Sequence, residues 1–256
     1  EEDHPVVLGN HRDAWVYGAA DPNSGTAQMI EVARGLGALL REGWRPRRTI
    51  VLASWSGEEY GMLGSTAWAE IHSDGLLARA AAYLNVDTGV SGNAFHASGT
   101  PSLGRVLAGV LGQIDDPGTG KPLSEHWGDG KLYTLGSGSD YAAFIDNLGI
   151  ASLDMAFSPG RGMYGVYHST FDSFAWMNSV GDPTWRYHET MAKIWGLVAL
   201  RLAGTEAEAP APLPFNFSLQ AGAIGAYIAE QKAMLNGTAS SHVSFAKLEA
   251  AQATFE

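Results

Sequence analysis

Short apolar runs rich in β-branched residues alternate along the chain with stretches whose apolar positions recur every three or four residues. The runs at 5–9, 49–55, 82–87 and 150–156 predict strands. Between the first two, Met29, Ile30, Val32, Ala33, Leu36, Leu39 and Leu40 recur at helical spacing, and Gly43 is placed to stop a helix over 24–41. Thr100-Pro101 reads as the N-cap and first residue of a helix with the stripe Leu103, Val106, Leu107, Val110 and Leu111. Asp182-Pro183 repeats the device and opens a helix to about 203, whose stripe of Met191, Ala192, Trp195, Val198, Ala199 and Leu202 reads as core. Strands alternating with helices predict an α/β fold, a mostly parallel mixed sheet flanked by helices.

Gly-, Ser- and Pro-rich stretches at 115–138 and 157–166 predict loops bordering a functional site. A Pro-rich linker over 206–214 separates residues 1–205 from two further helices, 218–236 and 241–256, so that 215–256 reads as part of an α-helical domain. The opening, nearly at once an apolar run Val6-Val7-Leu8, reads as cut from something longer.

A chain of 256 residues that is 45% apolar can bury one sizeable core and part of another. Its 16 basic against 27 acidic residues leave a net charge of −11, with no basic run, which excludes a nucleic-acid binder that tracks phosphates. No apolar stretch is long enough to span a bilayer. With no cysteine, disulfides, thiolate nucleophiles and Cys-ligated zinc are excluded, and any metal site must use His, Asp and Glu.

Such residues gather where the predicted strands end: His11, Asp13 and Asp21 after the first, Glu58 and Glu59 after the second, Asp87 after the third. In open α/β sheets ligands sit at the carboxyl ends of strands, so these groups would converge, and His168 adds a second imidazole. Singly, each reads as a solvated charge or a core histidine. Together they suit a divalent cation held by N and O donors, most simply zinc, although manganese or cobalt would fit the same donors. In the pair Glu58-Glu59, one side chain can bind metal while the other moves protons, which is hydrolytic chemistry.

The segments VVLGNHRDAW, AADPNSGTA, WRPRRTIVLASWSGEEYGMLGSTAWAE, YLNVDTGVSGN, LGSGSDYAAF and GVYHSTFDS, in that order, resemble the M28 peptidases, and among them the branch of glutamate carboxypeptidase II and the transferrin receptors. The resemblance implies a zinc-dependent exopeptidase fold of the phosphorylase/hydrolase-like type over 1–205, and the start of a helical transferrin receptor-like dimerisation domain over 215–256. It also implies earlier strands and a protease-associated insertion before this segment. The activity implied is removal of a terminal residue from small peptides, as a carboxypeptidase or an aminopeptidase, by two co-catalytic zinc ions.

Carried over residue by residue, Asp21 would bridge the metals, Glu59 and His168 would complete one site, and His11 and Asp87 the other. Glu58 would be general base and acid, Tyr167 would hydrogen-bond the developing oxyanion, and Gly138 and Ser139 would neighbour the substrate. Asp13 and Asp172 would orient the imidazole ligands, and the Asp21–Pro22 peptide would be cis. His4, His72, His96, His126, His188 and His242 match no family ligand and read as structural or exposed.

Transferrin receptors share the architecture but have lost ligands and act through protein contacts; retention of all five ligands and Glu58 favours the enzyme over such a binding module. A homodimer through the helical domain, and a secreted or membrane-anchored ectodomain, are implied by resemblance alone. Arginines that branch members use for acidic substrates are replaced here, where Asp154, Ala156 and Ala97 stand, so a strict acidic-dipeptide preference is not expected.

Overall fold

The computed structural model describes residues 3–127, 132–160, 162–206, 212–235 and 243–255. Five strands form one sheet: β1 (Val6–His11), β2 (Ile50–Trp55), β3 (Ala82–Asn85), β4 (Ala94–Gly99) and β5 (Ser152–Ser158). Their order is β2-β1-β3-β5-β4, with β1, β2, β3 and β5 parallel and β4 antiparallel to β5 at one edge. The expected strands are present with ends shifted by at most two residues. The central strands β1 and β3 are buried throughout, as continuous apolar runs in a parallel sheet require.

Helices cover both faces. The described helices are α1 (Asn23–Arg41), α2 (Leu63–His72), α3 (Gly104–Leu111), α4 (Leu123–His126), α5 (Tyr141–Leu148), α6 (Phe174–Trp176), α7 (Arg186–Ala203), α8 (Phe217–Leu235) and α9 (Ala246–Phe255). Side chains alternate across the sheet. Val6, Leu8, Ala82, Leu84, Leu153 and Met155 join α1, α3 and α7 in the larger core, whereas Val7, Tyr83, Ala53 and Trp55 join α2 and α5 in the smaller one. The whole predicted stripe of α7 is buried, and Trp195 Nε1 donates to the Leu84 carbonyl at 3.2 Å.

Several expectations change. In α1 Met29 and Val32 are buried, but Ile30, Leu39 and Leu40 are exposed. Thr100 does not cap a helix: its hydroxyl accepts from the Ser152 amide, a 3-10 turn follows at Pro101–Leu103, and α3 starts only at Gly104. Pro183 lies outside α7, which opens at Arg186 after Trp185 turns through φ 58°, while the Asp182 carboxylate accepts from the His188 amide. Within the loop expected at 115–138 lie α4 and bridges joining Asp115 to Pro122 and Ser98 to Tyr133. Of the predicted linker, Leu213 packs against the larger core together with Phe215, so this end of the segment is anchored.

Two glycines decide how closely the layers approach. A Cβ at Gly9 would overlap the Tyr83 ring, which crosses β1 there, and a Cβ at Gly25 would overlap the backbone of Val86 and Asp87. The first turn of α1 is thereby seated against the end of β3, which brings the segment before it toward Asp87.

Candidate metal centre

The carboxyl ends of β1, β2 and β3 lie on one side of the parallel sheet, and the loops leaving them carry the predicted residues together. His11 closes β1, where it is 1% exposed. Its Nδ1 donates to the Asp13 carbonyl at 2.9 Å, which fixes the tautomer and leaves Nε2 facing the cluster. Nε2 lies 2.8 Å from Asp87 Oδ1, 3.3 Å from Asp21 Oδ1 and 3.8 Å from Glu58 Oε2. The second imidazole approaches from the loop after β5: His168 Nε2 is 3.1 Å from both Asp21 Oδ2 and Glu59 Oε2.

Two groups of donors result, one of His11, Glu58 and Asp87 and one of Asp21, Glu59 and His168, each with its ligand atoms within 4.8 Å of one another. Asp21 faces both, with one carboxylate oxygen toward each imidazole. The peptide joining it to Pro22 is cis.

Neighbouring groups fix the residues of both donor groups. The Asp13 carboxylate accepts from the Glu58 and Glu59 amides at 3.2 and 3.3 Å, so it fixes the turn that splits this pair; the imidazole is held instead by the Asp13 carbonyl. The partners of Asp172 are the Ala20 and Asp21 amides, at 2.7 and 3.1 Å, and the Tyr164 hydroxyl at 2.9 Å. It therefore orients the loop that carries Asp21, and not the His168 ring as expected.

Ser139 donates to Asp87 Oδ2 at 2.5 Å, leaving Oδ1 for the cluster. Behind it runs a chain that the sequence reading missed: Asn85 Nδ2 donates to the Ser139 hydroxyl, Tyr83 to Asn85 Oδ1, and Trp55 Nε1 to the Tyr83 hydroxyl, at 2.9 to 3.1 Å. The signal was present, since Tyr83, Asn85 and Asp87 follow the period of two that puts strand residues on one face.

Tyr167 stacks on His168 with ring centroids 3.6 Å apart, and with Gly138 and Ser139 it lines a cavity that reaches Asp21 and Asp87. Burial, helped by the Asp21 charge, pushes its hydroxyl up to about 12, so it remains a donor at neutral pH. Of the positions where arginines were sought, Asp154 and Ala156 line the same cavity. Ala97 does not: it is buried in the larger core, and the β4 residues paired with Ala156 and Asp154 are His96 and Ser98.

Among the other histidines, Nδ1 of His4 bonds to the Arg79 carbonyl, His72 stacks on Trp68, His126 meets Thr119, and His188 pairs with Asp182 at 2.9 Å. His96 Nε2 is buried without a hydrogen-bond partner. His242 lies outside the described residues.

Crowding of buried carboxyls sets the electrostatics. Burial first, then the Asp87 charge, raises Glu58 to about 8; burial likewise raises Glu59 and Asp21. Burial opposes charge on His11, but hydrogen bonds to Asp21 and Asp87 outweigh it and push the ring up to about 12. Asp21 Oδ1 and Glu59 Oε1 are buried with no hydrogen-bond partner. Buried acceptors left so, facing two imidazoles and no Lys or Arg in either donor group, are what a divalent cation with N and O ligands would satisfy.

Two results are expected. Without metal the folded chain holds protons that the unfolded chain has lost, on Glu58 up to about pH 8 and on Asp140 and Asp154 up to about pH 7, and His11 acts in the same sense. Stability in chelator should therefore fall as pH rises from about 5 to 8, measured by denaturant unfolding. Asp172→Ala, which frees the Ala20 and Asp21 amides, should weaken zinc affinity about 10- to 100-fold, measured against a chelating dye, with the fold retained.

The Peptidase family M28 model matches residues 1–194. The chain is 48% identical over 224 residues to the probable glutamate carboxypeptidase LAMP1 of Arabidopsis thaliana, covering 85% of this chain and 32% of the relative. To the aminopeptidase NAALADL1 of Mus musculus it is 38% identical over 277 residues, covering 100% of this chain and 36% of the relative. It thus spans about a third of the length of the curated relatives it matches. Its fold is similar to that of BSAP, a zinc aminopeptidase from Bacillus subtilis, with a TM-score of 0.61 at 21% identity over 81% of this chain and 48% of that one. A family model that accounts for three quarters of the sequence establishes that the chain belongs to peptidase family M28.

Proposed function

We propose that this chain carries the co-catalytic dinuclear zinc centre of an exopeptidase that hydrolyses a terminal peptide bond of small peptides. The observation that carries this reading is the convergence of two imidazoles and four carboxylates at adjacent strand ends, with two buried carboxylate oxygens left unpartnered. Asp21 would be shared between the two metals, Glu59 and His168 would complete one ligand set, and His11 and Asp87 the other. Bound zinc would supply a lowered pKa for water and polarisation of the scissile carbonyl.

The remaining work falls to the chain's own groups. Glu58 lies a full ångström farther from His11 Nε2 than Asp87 does, at 3.8 against 2.8 Å, which suits a group beside the metals better than a ligand. Placed beside the cluster by the turn that Asp13 holds, its carboxyl would take the proton of the attacking water and return it to the leaving amine. The Tyr167 hydroxyl would donate to the oxyanion of the tetrahedral intermediate. Asp13 and Asp172 would hold the Glu58-Glu59 turn and the Asp21 loop in place.

Relatives named as glutamate carboxypeptidase and as aminopeptidase both occur among the matches, which supports exopeptidase action and leaves its direction to experiment. Residues 1–205 would form the catalytic unit, and 215–256 the beginning of a helical unit through which a second copy would bind. The test is hydrolysis of dipeptides with either end blocked, with zinc added and with chelator. Zinc-dependent cleavage of substrates blocked at one end but not the other gives the direction; no cleavage of any member with zinc bound would contradict the proposal.

A further inference from the structure

The cavity beside the cluster holds a carboxyl that the proposed chemistry does not use. It has a volume of about 200 Å³ and is bounded by Asp21 and Asp87 on the side of the metal ligands and by Asp154, Ala156, Gly138 and Tyr167 around the rest of its wall. No lysine, arginine or histidine lines it among the described residues. Asp154 stands near the middle of β5, paired in register with Asn85 of β3 and Ser98 of β4, and its Oδ1 accepts from Asn85 Nδ2 at 2.8 Å.

Two divalent cations would match the four carboxylates of Asp21, Glu58, Glu59 and Asp87. Asp154 is outside that set: it belongs to neither donor group, and the side chain that donates to it, Asn85, is a neutral amide. A carboxylate removed from water is costly unless a cation reaches it. A substrate carboxylate entering here would meet like charge and, among the described residues, no guanidinium fork. The neighbouring positions are small, with Ala156 and Gly138 leaving room for one side chain or one chain terminus.

We infer that Asp154 is a specificity-determining residue that selects substrates placing a positively charged nitrogen, an α-ammonium group or a basic side chain, in this cavity. The inference rests on the exopeptidase reading of the adjacent cluster. Recognition would be a charge-assisted hydrogen bond from the substrate nitrogen to the Asp154 carboxylate, made where solvent is largely excluded.

The experiment compares the zinc-loaded wild type with Asp154→Asn, which keeps an oxygen for Asn85 to bond, on peptides carrying Lys, Ala or Glu at the terminal residue, each with a free or an acetylated amino end. The wild type should prefer the cationic members. The variant should lose about 10- to 100-fold in kcat/KM on them, through KM, with neutral members unchanged. Loss on every free-amine substrate assigns the cavity to the α-ammonium group; loss confined to Lys-containing substrates assigns it to a basic side chain.

A second readout needs no turnover: the thermal shift, at a pH above about 8, of metal-free wild type and variant with alanine amide or lysine amide, against N-acetylalanine amide. Stabilisation of the wild type alone by the cationic amides supports the inference even if hydrolysis fails and the exopeptidase reading falls. Cleavage without charge preference, or equal losses on cationic and neutral members, overturns the inference and leaves the enzyme standing. Absence of both cleavage and selective binding overturns both.

Discussion

Glu58→Gln is expected to lower kcat by about 10²- to 10⁴-fold while the protein keeps its zinc. The substitution is nearly isosteric, and the backbone amide at this position would still donate to Asp13 Oδ1, so the turn that presents Glu58 and Glu59 is preserved. What disappears is the Glu58 carboxyl as proton acceptor and donor beside the cluster, a group whose proton affinity burial and Asp87 raise in the metal-free fold. The pH profile separates this role from a structural one. In the wild type the base must be ionised, so kcat/KM should rise with pH on a limb set by Glu58 in the metal-loaded enzyme, and Gln should remove that limb. Metal content measured on the same samples decides between base and ligand, because a ligand substitution would lose zinc along with turnover.

Asp21→Ala should have the largest effect on metal binding and should invert with conditions. Asp21 turns one oxygen toward His11 and the other toward His168, so its loss weakens both donor groups together. Zinc affinity should fall by more than the about 10- to 100-fold typical of residues that only orient a ligand, and hydrolysis should fall with it. In chelator the opposite sign is expected. The Asp21 carboxyl is 6% exposed, its Oδ1 has no hydrogen-bond partner, and burial disfavours its charge, so removing it relieves a cost in the metal-free fold. With zinc at about 1,000 times the wild-type dissociation constant, the wild type gains about 4 kcal/mol, whereas a variant that binds more than about 100-fold more weakly gains less than about 1.5 kcal/mol. Denaturant unfolding with and without zinc should therefore place the variant at or above the wild type in chelator and well below it in zinc.

How much of this the sequence revealed follows from the kind of signal each part left. The strands β1, β2, β3 and β5 are short apolar runs, and the core stripe of α7 is strictly periodic, so pattern alone located them. The edge strand β4 left a weak trace, because Ala94–Gly99 alternates small and polar residues around one buried phenylalanine. Helices α2 and α5 were also missed: α2 buries only Ser65 and Ala69, so it has no long apolar stripe. Caps misled where a tertiary partner took the side chain, as when Thr100 accepted from Ser152 in place of its own helix.

At the site, the convergence of the candidate ligands was legible because strand order puts the ends of β1, β2 and β3 together. The targets of Asp13 and Asp172 were not, since whether a carboxylate reaches a ring or a backbone amide depends on loop paths that spacing does not encode. Asp154 was noticed only as an absent arginine. Its place in a cavity without cations became visible once β5 was paired to β3 and β4.

The most direct measurement is to strip the protein with chelator and return zinc in known equivalents, following peptide hydrolysis and bound metal by mass spectrometry on the same samples. Full activity restored as bound zinc reaches two per chain is the expected result. Hydrolysis that persists without zinc, or that is complete at one zinc per chain with no second ion bound, would contradict a co-catalytic pair built on Asp21.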